Sequence, residues 1–471
     1  METDRHTHAM SGTSDEAVRH YERALDALLF FRAEVADEAQ AMVTASPGSA
    51  MGHVFHAYLA LLGTEEKDAA EARRSFGAFH GAIDLSGLSP REKMHTRAAE
   101  AWLDGDMLGA GDILGEISTE FPRDGLALAV GHQIDFLSGD AQRLRDRIGG
   151  ALSSWDGDDP HLGPLLGMYA FGLEESGHYG QAEETGLQAV ERHPRDVWGI
   201  HAVVHTYEMR GLFGEGIRYL DARTEDWADG NYLSVHNSWH YALYALEAGS
   251  IERVLAVYDN TLHNEDSQGL AMELLDASAL LWRLLLADVD VETRWAAIAE
   301  AWAGREDRAY YAFNDVHAVM AYAGSGRLSD AERLVKDREQ WLTRADPSVS
   351  NHAMTRDIGL PVCRALIAYR QRQYARVVEL LAPIRNHLNS FGGSHAQRDA
   401  IQRTLVEGTI RSGRHDLART LLSERISLRP ICPYNWQARA RLADQLGDTV
   451  QAATARTRAE EQAAAGAAAL G

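Results

Sequence analysis

Two segments of this chain carry histidines four residues apart, His201 and His205 in HAVVHTYE and His236 and His240 in HNSWH. Four residues is just over one helical turn, so in a helix each pair shares a face. Glu208 extends the first of these faces at i+7. Neutral imidazoles with a carboxylate at hand are the donor set of a zinc, iron or manganese site, and the i, i+4 spacing lets two ring nitrogens reach one ion. Without a metal the same side chains suit general acid–base work, because imidazole titrates near neutral pH. Further along the chain, Asp276 in LLDASALLWR, Asp315 and His317 in NDVH, and His395 in GGSHAQRD are candidates to join them.

Catalytic roles are therefore expected for His201, His205, Glu208, His236, His240, Asp315 and His317. Ligand binding is expected of Asp276, His395, Trp227 and Tyr207. His201, His205, His236 and His240 are the expected metal ligands, with a divalent transition metal (zinc, iron or manganese) as the implied cofactor. Plain packing competes with each role. Among 21 histidines, about one i, i+4 pair arises by chance, so two pairs alone are a weak motif. The competing role for His201 and His240 is a hydrogen bond to a neighbouring carboxylate, and for Asp315 a helix cap. For Trp227, Trp239, Trp282 and Trp302 it is packing between repeats.

The elements that must position these residues read as helices almost end to end. Apolar residues recur at i, i+3, i+4, with much Ala, Leu, Glu and Arg and little β-branched alternation, so an all-α fold is expected. Prolines fall at segment joins such as Ser46-Pro47, His193-Pro194 and Arg429-Pro430, where they end helices. A repeat is clearest over residues 163–196. Leu166, Tyr169, Ala170 and Leu173 form one helix face, followed by Gly177, Tyr179, Ala182, Ala189 and Pro194.

This order resembles the tetratricopeptide repeat: small residues let two antiparallel helices touch, Gly opens the turn and Pro ends the second helix. Weaker copies follow at Gly211 with Gly216, Gly249 with Val254, Gly326 with Ala331 and Gly413 with Ala418. Their spacing drifts from the regular period of about 34 residues. The expectation is a degenerate α-solenoid, a right-handed superhelix of antiparallel helix pairs over residues 14–460. Within it, 14–160 would be N-terminal capping helices, 161–345 the histidine-bearing repeats and 346–460 the C-terminal repeats. Residues 1–13 are expected to be disordered and 461–471 a flexible tail. Longer loops at 224–235 and 261–269 are further candidates for function. In such a stack the first helix of each pair lines the concave surface, and both histidine pairs occupy first helices.

Bulk composition narrows the partners. Against 46 Lys and Arg stand 69 Asp and Glu, a formal charge of −23, which repels phosphate backbones and anionic lipid surfaces. Neither nucleic acid nor membrane is an expected partner. The two cysteines, Cys363 and Cys432, have no CxxC spacing, so no disulfide framework or thiolate zinc site is expected and a cytoplasmic location fits. No phosphate-cradling loop, GxSxG elbow or catalytic cysteine signature is present, which leaves hydrolase-, lyase- or isomerase-type chemistry, or binding.

The chain as a whole is similar to the family that includes tetratricopeptide repeat protein 38. The similarity is carried by AWLDGD (101–106), LGMYAFGLEESGHY (166–179), HAVVHTYEMRG (201–211), HNSWHYALYALEAG (236–249), LDASALLWR (275–283), FNDVHAVMA (313–321), SHAQRD (394–399) and RPICPYNWQARA (429–440). The resemblance implies the helical-repeat architecture and a shared cluster matched by His201, His205, His236, His240, His317 and His395 with Glu208, Asp276 and Asp315. It supplies no reaction. The chain departs from the family pattern at Ile431-Cys432-Pro433-Tyr434 and in the polar loop 263–269.

Two functions remain open. One is a small-molecule ligand, with or without a metal, held in a His/Glu/Asp-lined pocket. The other is a protein partner, bound as a peptide in the concave groove, the usual role of such arrays.

Overall fold

The computed structural model describes residues 2–291, 293–305 and 308–470. From Asp15 to Ala467 the chain is a succession of antiparallel helix pairs. The pair Leu162–Glu175 and Tyr179–Arg192 shows why the sequence folds this way. The first helix is buried almost all round, whereas the second buries only Ala182, Gly186, Ala189 and Val190, a stripe with helical spacing. First helices thus form an inner layer and second helices an outer, amphipathic one. The turn between them requires a left-handed residue. Gly177 takes φ 83° there, and the His178 N–H reaches back to the Leu173 carbonyl at 2.8 Å, closing the helix end with a glycine at the position where a Cβ is penalised. The turn glycines expected at Gly211, Gly249, Gly326 and Gly413 all share this positive φ.

Six inner helices position the candidate residues and their surroundings: α1 (Leu162–Glu175), α2 (Val197–Arg210), α3 (Ser234–Glu247), α4 (Ala271–Leu286), α5 (Ala312–Gly324) and α6 (His395–Arg411). Close approach of α1 and α2 depends on small residues. A Cβ on Gly167 would stand 2.8 Å from the backbone nitrogen of Gly199, nearer than packed atoms allow.

The superhelix is not an open trough, because its early pairs lie against its late ones. Phe31 stacks on Trp198 at 4.8 Å, Asn314 donates to the Thr64 carbonyl at 3.0 Å, Tyr311 donates to the Leu137 carbonyl at 2.9 Å and Asn389 donates to the Gly139 carbonyl at 3.1 Å. What a looser solenoid would expose as a concave face is here mostly interior.

Both chain ends depart from the expectation of disorder. Glu2–Thr3 and Ala9–Met10 pair as a small antiparallel hairpin, Met10 is fully buried, and Ser11 donates through its N–H and its hydroxyl to Glu92, each at 2.6 Å. The polar segment is ordered because the fold supplies buried partners for its polar groups. At the other end the helix Thr449–Ala467 packs on α3 and on the helix Phe213–Asp221, and Ala469 and Leu470 lie against the core. The Ala/Gly composition that reads as a loose tail instead permits close docking: a Cβ on Gly466 would lie 3.1 Å from the Ala248 side chain. No helix among the described residues is long and apolar enough to cross a membrane.

Candidate metal centre

Helices α2 and α3 bring all four histidines of the two HxxxH segments together. Asp196 starts α2 by accepting from the Gly199 N–H at 3.0 Å, which fixes where the turns carrying His201 and His205 fall. Across to α3, the ring centroids of His205 and His240 are 4.3 Å apart, those of His201 and His240 5.3 Å and those of His201 and His236 5.0 Å. Within each helix the pairs sit at 4.4 Å and 4.9 Å. One ring nitrogen from each of the four lies within 4.8 Å of the others; on a tetrahedral ion with bonds of about 2.0–2.1 Å such nitrogens stand about 3.3 Å apart.

The surroundings are as informative as the rings. Both nitrogens of His201, both of His205 and Nε2 of His240 are buried with no hydrogen-bond partner among the described residues. Buried polar atoms normally find partners, so five orphans at one spot demand an explanation. Two rings are fixed from behind: His236 Nδ1 lies 2.7 Å from Asp276 Oδ2, and His240 Nδ1 lies 3.0 Å from Glu208 Oε2. A carboxylate on one nitrogen sets the tautomer and leaves the other as a metal donor. His205 Nδ1 faces Glu174 at 3.5 Å. Phe171 packs on His201 and His205, and Trp239 stacks on His236.

Burial, then repulsion from the neighbouring imidazoles, holds His201 and His205 well below the ordinary histidine pKa. For His240 burial again dominates, followed by His236 and the Arg283 guanidinium. All three are neutral at physiological pH, the form that ligates metals. Burial lifts Glu208 above the usual carboxylate range against the pull of Arg429. Burial and the adjacent Glu175 push Glu174 up to about 7. Below Glu208 lies a polar layer in which Arg403 and Arg425 reach Asp399 at 2.6 and 2.7 Å. Burial alone would raise Asp399, but these arginines and Arg429 hold it well below its ordinary value.

The other expected residues divide. Asp276 and Glu208 stand behind the cluster, on His236 and His240. His395, at the start of α6, comes instead to Glu174 and Glu175, its Nδ1 4.0 and 3.5 Å from their oxygens. Asp315 is not brought to the histidines: it forms a two-bond ion pair with Arg338 at 2.8 and 3.0 Å, a charge-assisted fork that ties α5 to the following helix. His317 is buried against Phe313 with Nδ1 on that residue's carbonyl at 2.7 Å, outside the gathered ligand atoms. Trp227 caps a turn by donating to the Leu220 carbonyl at 2.9 Å, and Tyr207 packs edge-on against Tyr219. Neither lies on the imidazole face; on α2, Tyr207 is two residues from His205 and projects about 200° round the helix. The residues missed in the sequence are Glu174 and Glu175 of α1 with Arg283, Arg398 and Asp399.

A groove of about 1020 Å³ opens between the early pairs, at residues 138–142, and the later ones, at residues 350–358 and 384–390; Asp357, Arg385, His387, His395 and Arg398 are among its lining residues. His395, which lines it, turns its Nδ1 inward to Glu174 and Glu175, and Glu174 in turn faces His205.

These paired helices with left-handed turns define a tetratricopeptide-like helical-repeat protein. No family model matches the chain. Among solved structures it is similar to the human IFIT1 dimer with m7Gppp-AAAA, at 13% identity over 96% of both chains with a TM-score of 0.41. It is also similar to the P58(IPK) TPR domain, at 11% identity over 81% of this chain and 97% of that one with a TM-score of 0.21, and to the APC/C hetero-tetramer Cut9-Hcn1, at 12% identity over 82% and 97% with a TM-score of 0.24. Likeness at this level carries nothing about binding or activity.

Proposed function

We propose that this protein is a transition-metal-binding helical-repeat protein, whose four-histidine centre serves chemistry on a small molecule admitted through the adjoining groove. One observation carries the reading: four imidazoles from two helices meet in a buried cluster in which five ring nitrogens lack partners among the described residues. Four neutral nitrogen donors favour zinc or iron over manganese, which prefers oxygen. Asp276, Glu208 and Glu174 behind the rings would offset the ion's charge. Metal-free acid–base catalysis fits less well, since His201, His205 and His240, held well below the ordinary histidine pKa by burial, accept protons weakly and have no imidazolium proton to give at pH 7. Hydrolase, lyase or isomerase chemistry is the class proposed, in which a substrate oxygen would enter by expansion of the ion's coordination beyond the four imidazoles. Kinship with the family of tetratricopeptide repeat protein 38 and a cytoplasmic location belong to the same proposal.

Elemental analysis of the purified chain tests it. We expect at least one zinc or iron per chain, and the loss of one equivalent in the His205→Ala, His240→Ala double variant. A wild-type chain with trace metal only, or an unchanged content in the variant, contradicts the reading. The groove, at about 1020 Å³, also has the volume for a short peptide segment, which keeps partner binding as the second reading. A stoichiometric protein partner retained by the double variant would favour it.

A further inference from the structure

Beside the four histidines lies a second set of donor groups with a different composition. Glu174, Glu175 and His395 each bring one ligand atom within 4.8 Å of the others. The Glu174 side chain is fully buried, and neither of its carboxylate oxygens has a hydrogen-bond partner among the described residues. His395 is about one-third exposed, with its side chain at 32%, yet its Nδ1 is buried, unpartnered among the described residues and turned inward toward the two carboxylates. A buried carboxylate without a donor is costly to keep, and two side by side are costlier still. Glu175 is held in place from its far side. Arg398 Nη2 donates to its Oε2 at 3.1 Å and the His395 backbone N–H to its Oε1 at 2.7 Å, which leaves lone pairs on Oε1 facing the gap.

We propose that a second divalent cation binds between Glu174, Glu175 and His395, at the inner end of the groove, and that Glu174 links it to the four-histidine centre to make one two-metal site. The proposal rests on the four-histidine reading for its neighbour and on separate residues for its own ligands. Glu174 is placed to link the two ions because its Oε2 lies 3.5 Å from His205 Nδ1 while its Oε1 faces His395. The two ions would differ in character. Four imidazoles enclose the first, whereas two carboxylates and one imidazole suit manganese, iron or zinc equally and leave coordination positions free. The site adjoins the groove, which His395 and Arg398 line. A small molecule with a carbonyl, carboxylate or phosphate oxygen is the ligand class that would fill those positions, and paired ions share the charge that develops on such an oxygen.

Titration of the metal-stripped, full-length chain with cobalt(II) distinguishes the two sites, because a four-nitrogen tetrahedral ion and an oxygen-rich ion of higher coordination have different visible spectra. We expect two equivalents in the wild-type chain. His395→Ala and the milder His395→Gln, both at a partly exposed position, should weaken the second equivalent by more than about 100-fold, beyond what loss of an outer-sphere partner costs, and keep the tetrahedral bands. Uptake of one equivalent that is lost in His205→Ala, His240→Ala and untouched by His395→Ala would overturn the second site and leave the first standing. One equivalent lost in the His395 variants but kept in the double variant would support an ion at Glu174 and Glu175 while removing the four-histidine reading and the two-metal linkage. No uptake at all would overturn both.

Discussion

A buried histidine acts on stability through the protons it declines to bind. His132, lodged beside Trp198 and Phe171, is pushed down to about 3 by burial, and His317 to about 4 by burial, against the pull of the Phe313 carbonyl. The unfolded chain protonates both near about pH 6.5; the folded chain does not until far lower. Between those limits the unfolded state holds the extra protons, so stability is full above about pH 6.5 and falls as pH drops, by about 1.4 kcal/mol per pH unit for each residue. Replacing His317 with Gln should flatten the pH dependence of the unfolding free energy from urea titrations between about pH 6 and pH 5 by about 1 kcal/mol per pH unit. An unchanged slope would mean that His317 is protonated in the fold. At this scale the sequence was partly legible. The HxxxH spacing identified two pairs of rings, each sharing a face of its own helix, because the signal is local. Glu174 gave none: it stands at the end of an ordinary inner helix, and its surroundings are made by His395, more than 200 positions away. Asp315 misleads for the same reason, since its partner Arg338 lies on another helix and the carboxylate's charge is already answered there.

Turns decide how the helices stack, and their glycines are not equivalent. At Gly177 a Cβ would meet open space, so Gly177→Ala is expected to cost only the left-handed strain, about 1–2 kcal/mol. At Gly211 the same Cβ would collide with the Ile431 carbonyl and side chain, so Gly211→Ala adds a packing clash and should cost about 2–4 kcal/mol. Thermal unfolding of the two variants compares them, and equal costs would contradict the contact between that turn and the 431 segment. The same turns explain why the repeat reads as degenerate. Thr64, Asp288 and Arg372 take φ of 55°, 56° and 59°, the left-handed turn without the glycine that announces it. The Gln373 N–H still reaches the Ala368 carbonyl at 2.8 Å, the bond made at Gly177. Helix pairs whose turn residue lacks the signature are invisible to a glycine-based search, although their geometry is the same.

At the scale of the whole molecule, the governing feature is closure. An open repeat array is stabilised by nearest neighbours and tends to unfold piecewise. Here Tyr311 bonds to Leu137, Phe31 stacks on Trp198 and Arg398 pairs with Glu175, so distant repeats depend on one another. A single unfolding transition is expected, with tryptophan fluorescence and far-ultraviolet circular dichroism superimposing; two separated transitions would contradict that coupling. Closure was not legible in the sequence, because periodicity reports which face of a helix is apolar and not which remote helix will cover it. The same closure turns the histidine-bearing face from a groove wall into a buried interior, where the proposed ion would meet imidazole nitrogens that have no partner among the described residues. Crystals of the intact chain, with diffraction recorded on either side of the zinc and iron absorption edges, test this most directly. An anomalous peak is expected about 2.0–2.1 Å from a nitrogen of each of His201, His205, His236 and His240. Absence of a peak there, in a chain purified without chelator and with the four rings hydrogen-bonded to water or to one another, would contradict a metal at the four histidines.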